Sequence, residues 1–255
     1  MYRSKHIIQK NEKNNHKNLI KNCNNVEIFN KSKYFYMIRN IIFDFDGVLV
    51  DSEILVAKSF SKYLKDRNID FSEKDFSIFA GKKTIQVIEE LSKKFNIQDQ
   101  NEFFNDIMNI ANSIYSYDLT AVKGAKKFLE NANLNYLIGS NSIKNRIILG
   151  LEIVKFKHFF SEDKIFSFDM VENPKPEPDI YLAAIESNRL DKQETIIIED
   201  SSVGVKAGVR AGVKVVGLTA GGHWHPGRSP KELTEAGASL LINNYKDLLE
   251  KITKI

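Results

Sequence analysis

Cysteine is nearly missing from this 255-residue chain: there is one, Cys23, and none after it. That excludes a disulfide framework, a cysteine-based zinc site and a thiol nucleophile in the body of the chain, and it accords with a reducing, cytoplasmic setting. Long apolar runs are missing too. No window approaches the roughly 18 consecutive apolar residues of a membrane-crossing helix, and the start of the chain lacks the apolar stretch of a secretory signal, so a soluble protein without a membrane partner is expected. A basic body is the third absence. Residues 1–36 hold eight basic side chains and two acidic ones, which leaves 29 basic against 31 acidic in the rest. A protein that coats nucleic acid with a uniformly basic surface is thereby excluded.

The basic segment 1–36 also has eight asparagines, no glycine, no proline and no sustained apolar period. Such a composition cannot bury enough surface to offset its ordering entropy, so disorder and dispensability are expected. An organellar targeting peptide is the rival reading, although the segment is rich in Lys and Asn rather than Arg and Ser.

From Arg39 onward, apolar runs alternate with helical periods, as in an α/β fold. With 42% hydrophobic residues, the chain has ample sequence for a full core. Ile41–Phe43 reads as a central strand covered on both faces, followed by strands at 136–138, 164–168, 195–198, 213–217 and 239–242. Helical periods fall between them, near 124–132, 143–152, 179–188, 203–211 and 244–252. These imply a doubly wound, Rossmann-like parallel sheet. Between Glu53 and Asp118 no strand is expected, only helical periods such as Ile85, Ile88, Leu91 and Phe95. The stretch is too long for a simple crossover, so 53–118 reads as an inserted helical domain, with 37–52 and 119–255 forming the α/β core.

The chemistry gathers at strand ends, where ligands bind in open α/β sheets. DFDGVLVDSE, residues 44–53, places Asp44 and Asp46 directly after the first strand, two carboxylates able to serve as nucleophile and as general acid or base. IGSNS, residues 138–142, puts Ser140 and Asn141 before a helix start, where a phosphate oxygen can be held. ENPKPEPD, residues 172–179, fixes Lys175 between prolines. IIIEDSSVGVKAG, residues 196–208, ends in Glu199 and Asp200, hard oxygen ligands suited to Mg2+. Each cluster alone has an ordinary explanation as a helix cap, a surface lysine or an acidic turn. Four of them in this order are much harder to explain so.

Together these motifs resemble those of the haloacid dehalogenase superfamily, in its phosphatase and β-phosphoglucomutase-like branch with a helical cap after the first motif. The resemblance runs from about Met37 to the C-terminus. It implies that Asp44 is the nucleophile, forming an aspartyl-phosphate, and that Asp46 protonates the leaving alcohol and then activates water. It further implies that Ser140 hydrogen-bonds the phosphoryl group and that Lys175 stabilises its charge together with Asp44. Asp200, the Asp44 carboxylate and the Asp46 main-chain carbonyl would ligate Mg2+, with Glu199 ligating or orienting that shell. A substrate dianion beside three ionised carboxylates would otherwise repel its own nucleophile; Mg2+ and Lys175 answer that charge.

The resemblance also separates reactions. An acid at position 46 disfavours dehalogenase and phosphonate-cleaving relatives. Mutases of the β-phosphoglucomutase type carry a histidine shortly after the first motif, whereas residues 54–58 here read Ile-Leu-Val-Ala-Lys. Hydrolysis of a small phosphorylated metabolite, a sugar phosphate or sugar-acid phosphate, is therefore expected, with the mutase as alternative and a non-catalytic binding protein as a further one. Lys82 and Lys83, in a segment similar to the substrate-closing loop of the cap, and Arg146 at the rim are the candidate specificity residues. His223 and His225 in GGHWHPGRS lack a nearby third ligand for a metal and read instead as part of the site entrance. A monomer is the default expectation.

Overall fold

The computed structural model describes residues 37–79, 84–225 and 227–252. Six strands, β1 (Asn40–Phe43), β2 (Asn135–Ser140), β3 (Ile165–Ser167), β4 (Thr195–Glu199), β5 (Lys214–Leu218) and β6 (Leu240–Ile242), form one parallel sheet in the order β3-β2-β1-β4-β5-β6. β1 is central, with Phe43 in register with Ile138 of β2 on one side and Ile198 of β4 on the other. The chain reverses its direction of build-up across β1, and that switch point is where such sheets open a crevice.

Strand residues alternate between two cores. Ile41, Phe43, Ile138 and Ile198 pack on one face beneath α5 (Ala125–Asn131), α6 (Lys144–Ile153) and α10 (Tyr245–Ile252). Ile42, Leu137, Ile197 and Val215 pack on the other, beneath α7 (Asp179–Ser187), α8 (Ser202–Arg210) and α9 (Lys231–Glu235). Burial on both faces is why the strands read as unbroken apolar runs. The short α9 falls outside the expected elements; its five residues bury only Leu233, too little to leave a periodic signal.

Residues 53–118 contribute, among those described, only helices: α1 (Glu53–Lys65), α2 (Glu73–Phe76), α3 (Thr84–Phe95) and α4 (Gln100–Asp118), with one 3-10 turn at Ser77–Phe79. They have a third core of their own, in which Phe60, Tyr63, Phe103 and Ile107 meet Phe71 and Leu91. Asp99 caps α4 by accepting from the N–H groups of Asn101 and Glu102. The anticipated apolar face of α3 is rotated in part: Ile88 and Leu91 are buried with Val87, but Ile85 is exposed and Phe95 only half-buried. The two passages between this segment and the sheet run side by side. Asp51 N–H donates to Thr120 O and Val122 N–H to Leu49 O, making an antiparallel bridge between Val50 and Ala121. Among the described residues no helix is long and apolar enough to cross a membrane. The basic segment 1–36 lies outside the described residues.

Candidate active site

Sheet register brings the dispersed motifs to one place. Asp44 continues β1, its N–H bonded to Ile198 O at 2.9 Å, so it stands beside Glu199 at the end of β4. Ser140 ends β2 on the other side of β1. Lys175, in the connection after β3 and joined to Pro176 by a cis peptide, places its Nζ 2.7 Å from Asp44 Oδ1 and 2.6 Å from Glu199 Oε1. All of these side chains are buried.

Burial alone would lower the Lys175 ammonium, but Asp44 and Glu199 outweigh it and hold the group above its ordinary value. Burial raises the Asp44 carboxyl well above the usual range; Lys175 opposes this, while Glu199 and Asp200 add to it. Asp200 is raised for the same first reason, with Glu199 and Glu53 next. Ligand oxygens of Asp44, Glu199 and Asp200 lie within 4.8 Å of one another. Three buried carboxylates with one ammonium leave negative charge uncompensated, and the hard-oxygen donor set fits a divalent cation such as Mg2+.

Glu199 is the most occupied of the three. Its Oε1 accepts from Lys175 and Tyr181, and its Oε2 from the N–H groups of Asp200 and Ser201 and the Ser201 hydroxyl. Five donors fix this carboxylate and, through it, Lys175. Asn141 differs from its expected role of meeting a phosphate oxygen: its amide oxygen accepts from Lys175 N–H at 3.0 Å and its NH2 donates to Lys175 O at 3.1 Å. Both ends of the side chain clamp the lysine's backbone, so it is engaged in positioning. Ser140 Oγ accepts from Ser142 N–H.

Asp46 is partly open. The hydroxyls of Ser52 and Ser142 donate to its two carboxylate oxygens. Arg146 reaches within 4.0 Å of Asp46 and stacks 3.9 Å from the ring centre of Tyr115 on α4. Burial, together with the charge of Asp46, pushes the Tyr115 phenol up. Arg146 therefore joins the helical segment to the second aspartate. Lys82 and Lys83 lie outside the described residues.

Gly222 packs directly on the first motif, and His223 on Asp200. Gly222 N–H donates to both carboxylate oxygens of Asp51, at 2.9 and 3.0 Å. His223 Nε2 sits 3.0 Å from Asp200 Oδ2, and its ring centre is 5.7 Å from that of Trp224. Burial lowers the His223 imidazole, with Glu53 opposing. Two glycines make room for this ring. A Cβ on Gly221 would lie 2.8 Å from His223 Cε1 and 2.8 Å from Gly47 O, and one on Gly47 would lie 1.9 Å from Asp200 Oδ2. Gly47 also holds φ +75, where a side chain costs about 1–2 kcal/mol. Gly47→Ala should lower unfolding free energy by at least that amount and displace Asp200. Urea denaturation checks it, and wild-type stability would show that the turn relaxes.

Two cavities meet over Asp44 and Asp46. The smaller, about 300 Å³, is lined by Ser140, Ser142, Arg146 and Lys175. The larger, about 570 Å³, runs between the helical segment (Ile54, Phe76, Phe79, Val87) and His223, His225 and Arg228. Asp44, Asp46 and Glu53 border both. Ser52, Ser142, Tyr181 and Glu53 carry no signal of their own in the sequence. The two serines stand inside the quoted motifs, while Tyr181 reads as one more apolar position of α7.

A family model described as haloacid dehalogenase-like hydrolase matches residues 41–218. The chain is 25% identical over 215 residues to 6-phosphogluconate phosphatase of Escherichia coli (strain K12), a match covering 82% of this chain and 95% of that one. It is 26% identical over 216 residues to pyrophosphatase PpaX of Listeria innocua serovar 6a, covering 83% and 95%. A solved HAD family hydrolase from Deinococcus radiodurans R1, with bound phosphate and sodium, superposes with a TM-score of 0.74 at 27% identity over 86% of this chain and 96% of that one.

Proposed function

Because this chain belongs to the haloacid dehalogenase-like hydrolase family, we propose that it is a Mg2+-dependent phosphomonoester hydrolase acting on a small phosphorylated metabolite, a sugar phosphate or sugar-acid phosphate. The carrying observation is the pair Asp44 and Asp46 on the shared floor of two cavities, with Lys175 2.7 Å from the first. We take 37–52 and 119–255 as the catalytic core and 53–118 as its cap.

The phosphoryl group occupies the smaller cavity, facing Ser140 and Lys175. A carboxylate oxygen of Asp44 attacks phosphorus and the P–O bond to the alcohol breaks. Asp46, as general acid, delivers a proton to the departing alkoxide oxygen. The product is an acyl phosphate on Asp44. Asp46, now a carboxylate, then takes a proton from water as that water attacks phosphorus, and the P–O bond to Asp44 breaks to release phosphate. Ser52 and Ser142 hold Asp46 in place; Lys175 opposes the burial that raises the Asp44 carboxyl and neutralises charge on the transferring oxygens. Asp44 and Asp200 would hold Mg2+, with Glu199 anchoring Lys175 beside them. When bound, the ion supplies the charge neutralisation that anion-on-anion attack requires.

Phosphate release from a panel of sugar phosphates tests the reading. Release should require Mg2+, stop on addition of EDTA and return with excess Mg2+. Undiminished release in EDTA would sink the metal assignment. Isomerisation of β-glucose 1-phosphate without net phosphate would replace hydrolysis with mutase chemistry.

A further inference from the structure

Glu53 borders both cavities, yet the phosphoryl chemistry gives it no task. It opens α1 one residue after Ser52, in the first turn, where a carboxylate suits the helix dipole. Its side chain is exposed and opens to the cavity. Among the described residues its carboxylate accepts no hydrogen bond and forms no ion pair, unlike Asp44, Asp46, Glu199 and Asp200. The larger cavity has an apolar wall of Ile54, Phe76, Phe79 and Val87, and the cations Lys74 and Arg228 line it as well.

The two cavities adjoin where Asp44 and Asp46 line both. Glu53 stands at that junction.

We propose that Glu53 reads the atoms next to the scissile ester: it accepts hydrogen bonds from hydroxyls on the adjoining carbons and turns away leaving groups that carry negative charge there. The substrate class is then a polyol or sugar monophosphate whose ester carbon neighbours free hydroxyls. This rests on the hydrolase reading above and adds the substrate to it. A hydroxyl supplies the donor that Glu53 lacks. The second phosphate of pyrophosphate, one bridging oxygen away, or the carboxylate of phosphoglycolate brings negative charge beside Asp44, Asp46 and Glu53. Sites built to pair with a substrate hydroxyl discriminate strongly against analogues without one.

The test compares kcat/KM of the full chain with Mg2+ on sorbitol 6-phosphate, inorganic pyrophosphate and phosphoglycolate, with p-nitrophenyl phosphate as a generic ester. Wild type should prefer sorbitol 6-phosphate over both anionic compounds by about tenfold or more. Glu53→Gln keeps an acceptor and removes the charge, so that ratio should shrink by about tenfold through gains on the anionic pair. Glu53→Ala should lose activity on sorbitol 6-phosphate as well. Unchanged ratios in both variants, or a wild type that prefers pyrophosphate, overturn the proposal while leaving hydrolysis standing. No hydrolysis of any compound, p-nitrophenyl phosphate included, overturns the hydrolase reading and the proposal with it. The wild-type ranking decides the matter even where a variant does not fold.

Discussion

Asp44→Asn is expected to reduce phosphate release by about 10⁵-fold or more, the scale seen when a covalent nucleophile is removed. The same change should not weaken the fold. Burial holds the Asp44 carboxyl well above its unfolded value, so the protonated form is favoured in the native protein. For such a group the stabilisation is complete below the unfolded pKa and is lost as pH rises through the folded one. A neutral amide escapes that loss. In EDTA, Asp44→Asn should therefore melt at a higher temperature than wild type at neutral pH, with the gap closing near pH ~4. Steady-state assays and thermal melts at the two pH values check both halves. Residual turnover within about a hundredfold of wild type would remove Asp44 as nucleophile.

Lys175→Met should produce the largest stability loss of any single change at the site. The ammonium is almost fully enclosed, with 3% of its side chain exposed, and it is the cation in contact with both Asp44 and Glu199. Removing one member of a buried charge cluster typically costs about 3–5 kcal/mol, because the partners stay buried and unpaired. Activity should vanish as well. Urea denaturation of the single variant and of Lys175→Met/Glu199→Gln separates the causes: the second change removes one stranded charge and should recover part of the loss. A single variant within about 1 kcal/mol of wild type would mean that the carboxylates protonate at little cost.

Much of this arrangement was legible in the sequence, for a definite reason. β1, β2 and β4 are buried on both faces, so they appear as apolar runs, and each is closed by a polar residue that the sheet then gathers: Asp44 just past β1, Ser140 at the end of β2 and Glu199 at the end of β4. Asp44, Ser140, Glu199 and Asp200 could be read because strand ends are fixed by the same pattern that fixes strands. Lys175 could be read because it lies between prolines. What could not be read depends on pairings across long sequence separations. Tyr181 meets Glu199 from a helix whose exposed and buried positions look alike in composition. Asn141 was legible as a polar residue at a strand end, but its use by the Lys175 backbone depends on how two loops meet. His223 is the clearest case. Nothing local relates it to Asp200; the contact exists because β5 lies beside β4 and two glycines let the ring in. The face of α3 was only partly legible, since periodicity marks a stripe and packing decides where the stripe points, leaving Ile85 outside.

Trp224 is the chain's single tryptophan, and its ring neighbours His223, which touches Asp200. Arg228 covers it at 3.9 Å. All indole emission of the protein therefore originates next to the acidic cluster, two residues removed in contact from the proposed ion. The molecule carries a one-site optical reporter of its own, free of background from any other indole, through which occupation of the metal site and of the larger cavity can be titrated without a substrate or a label.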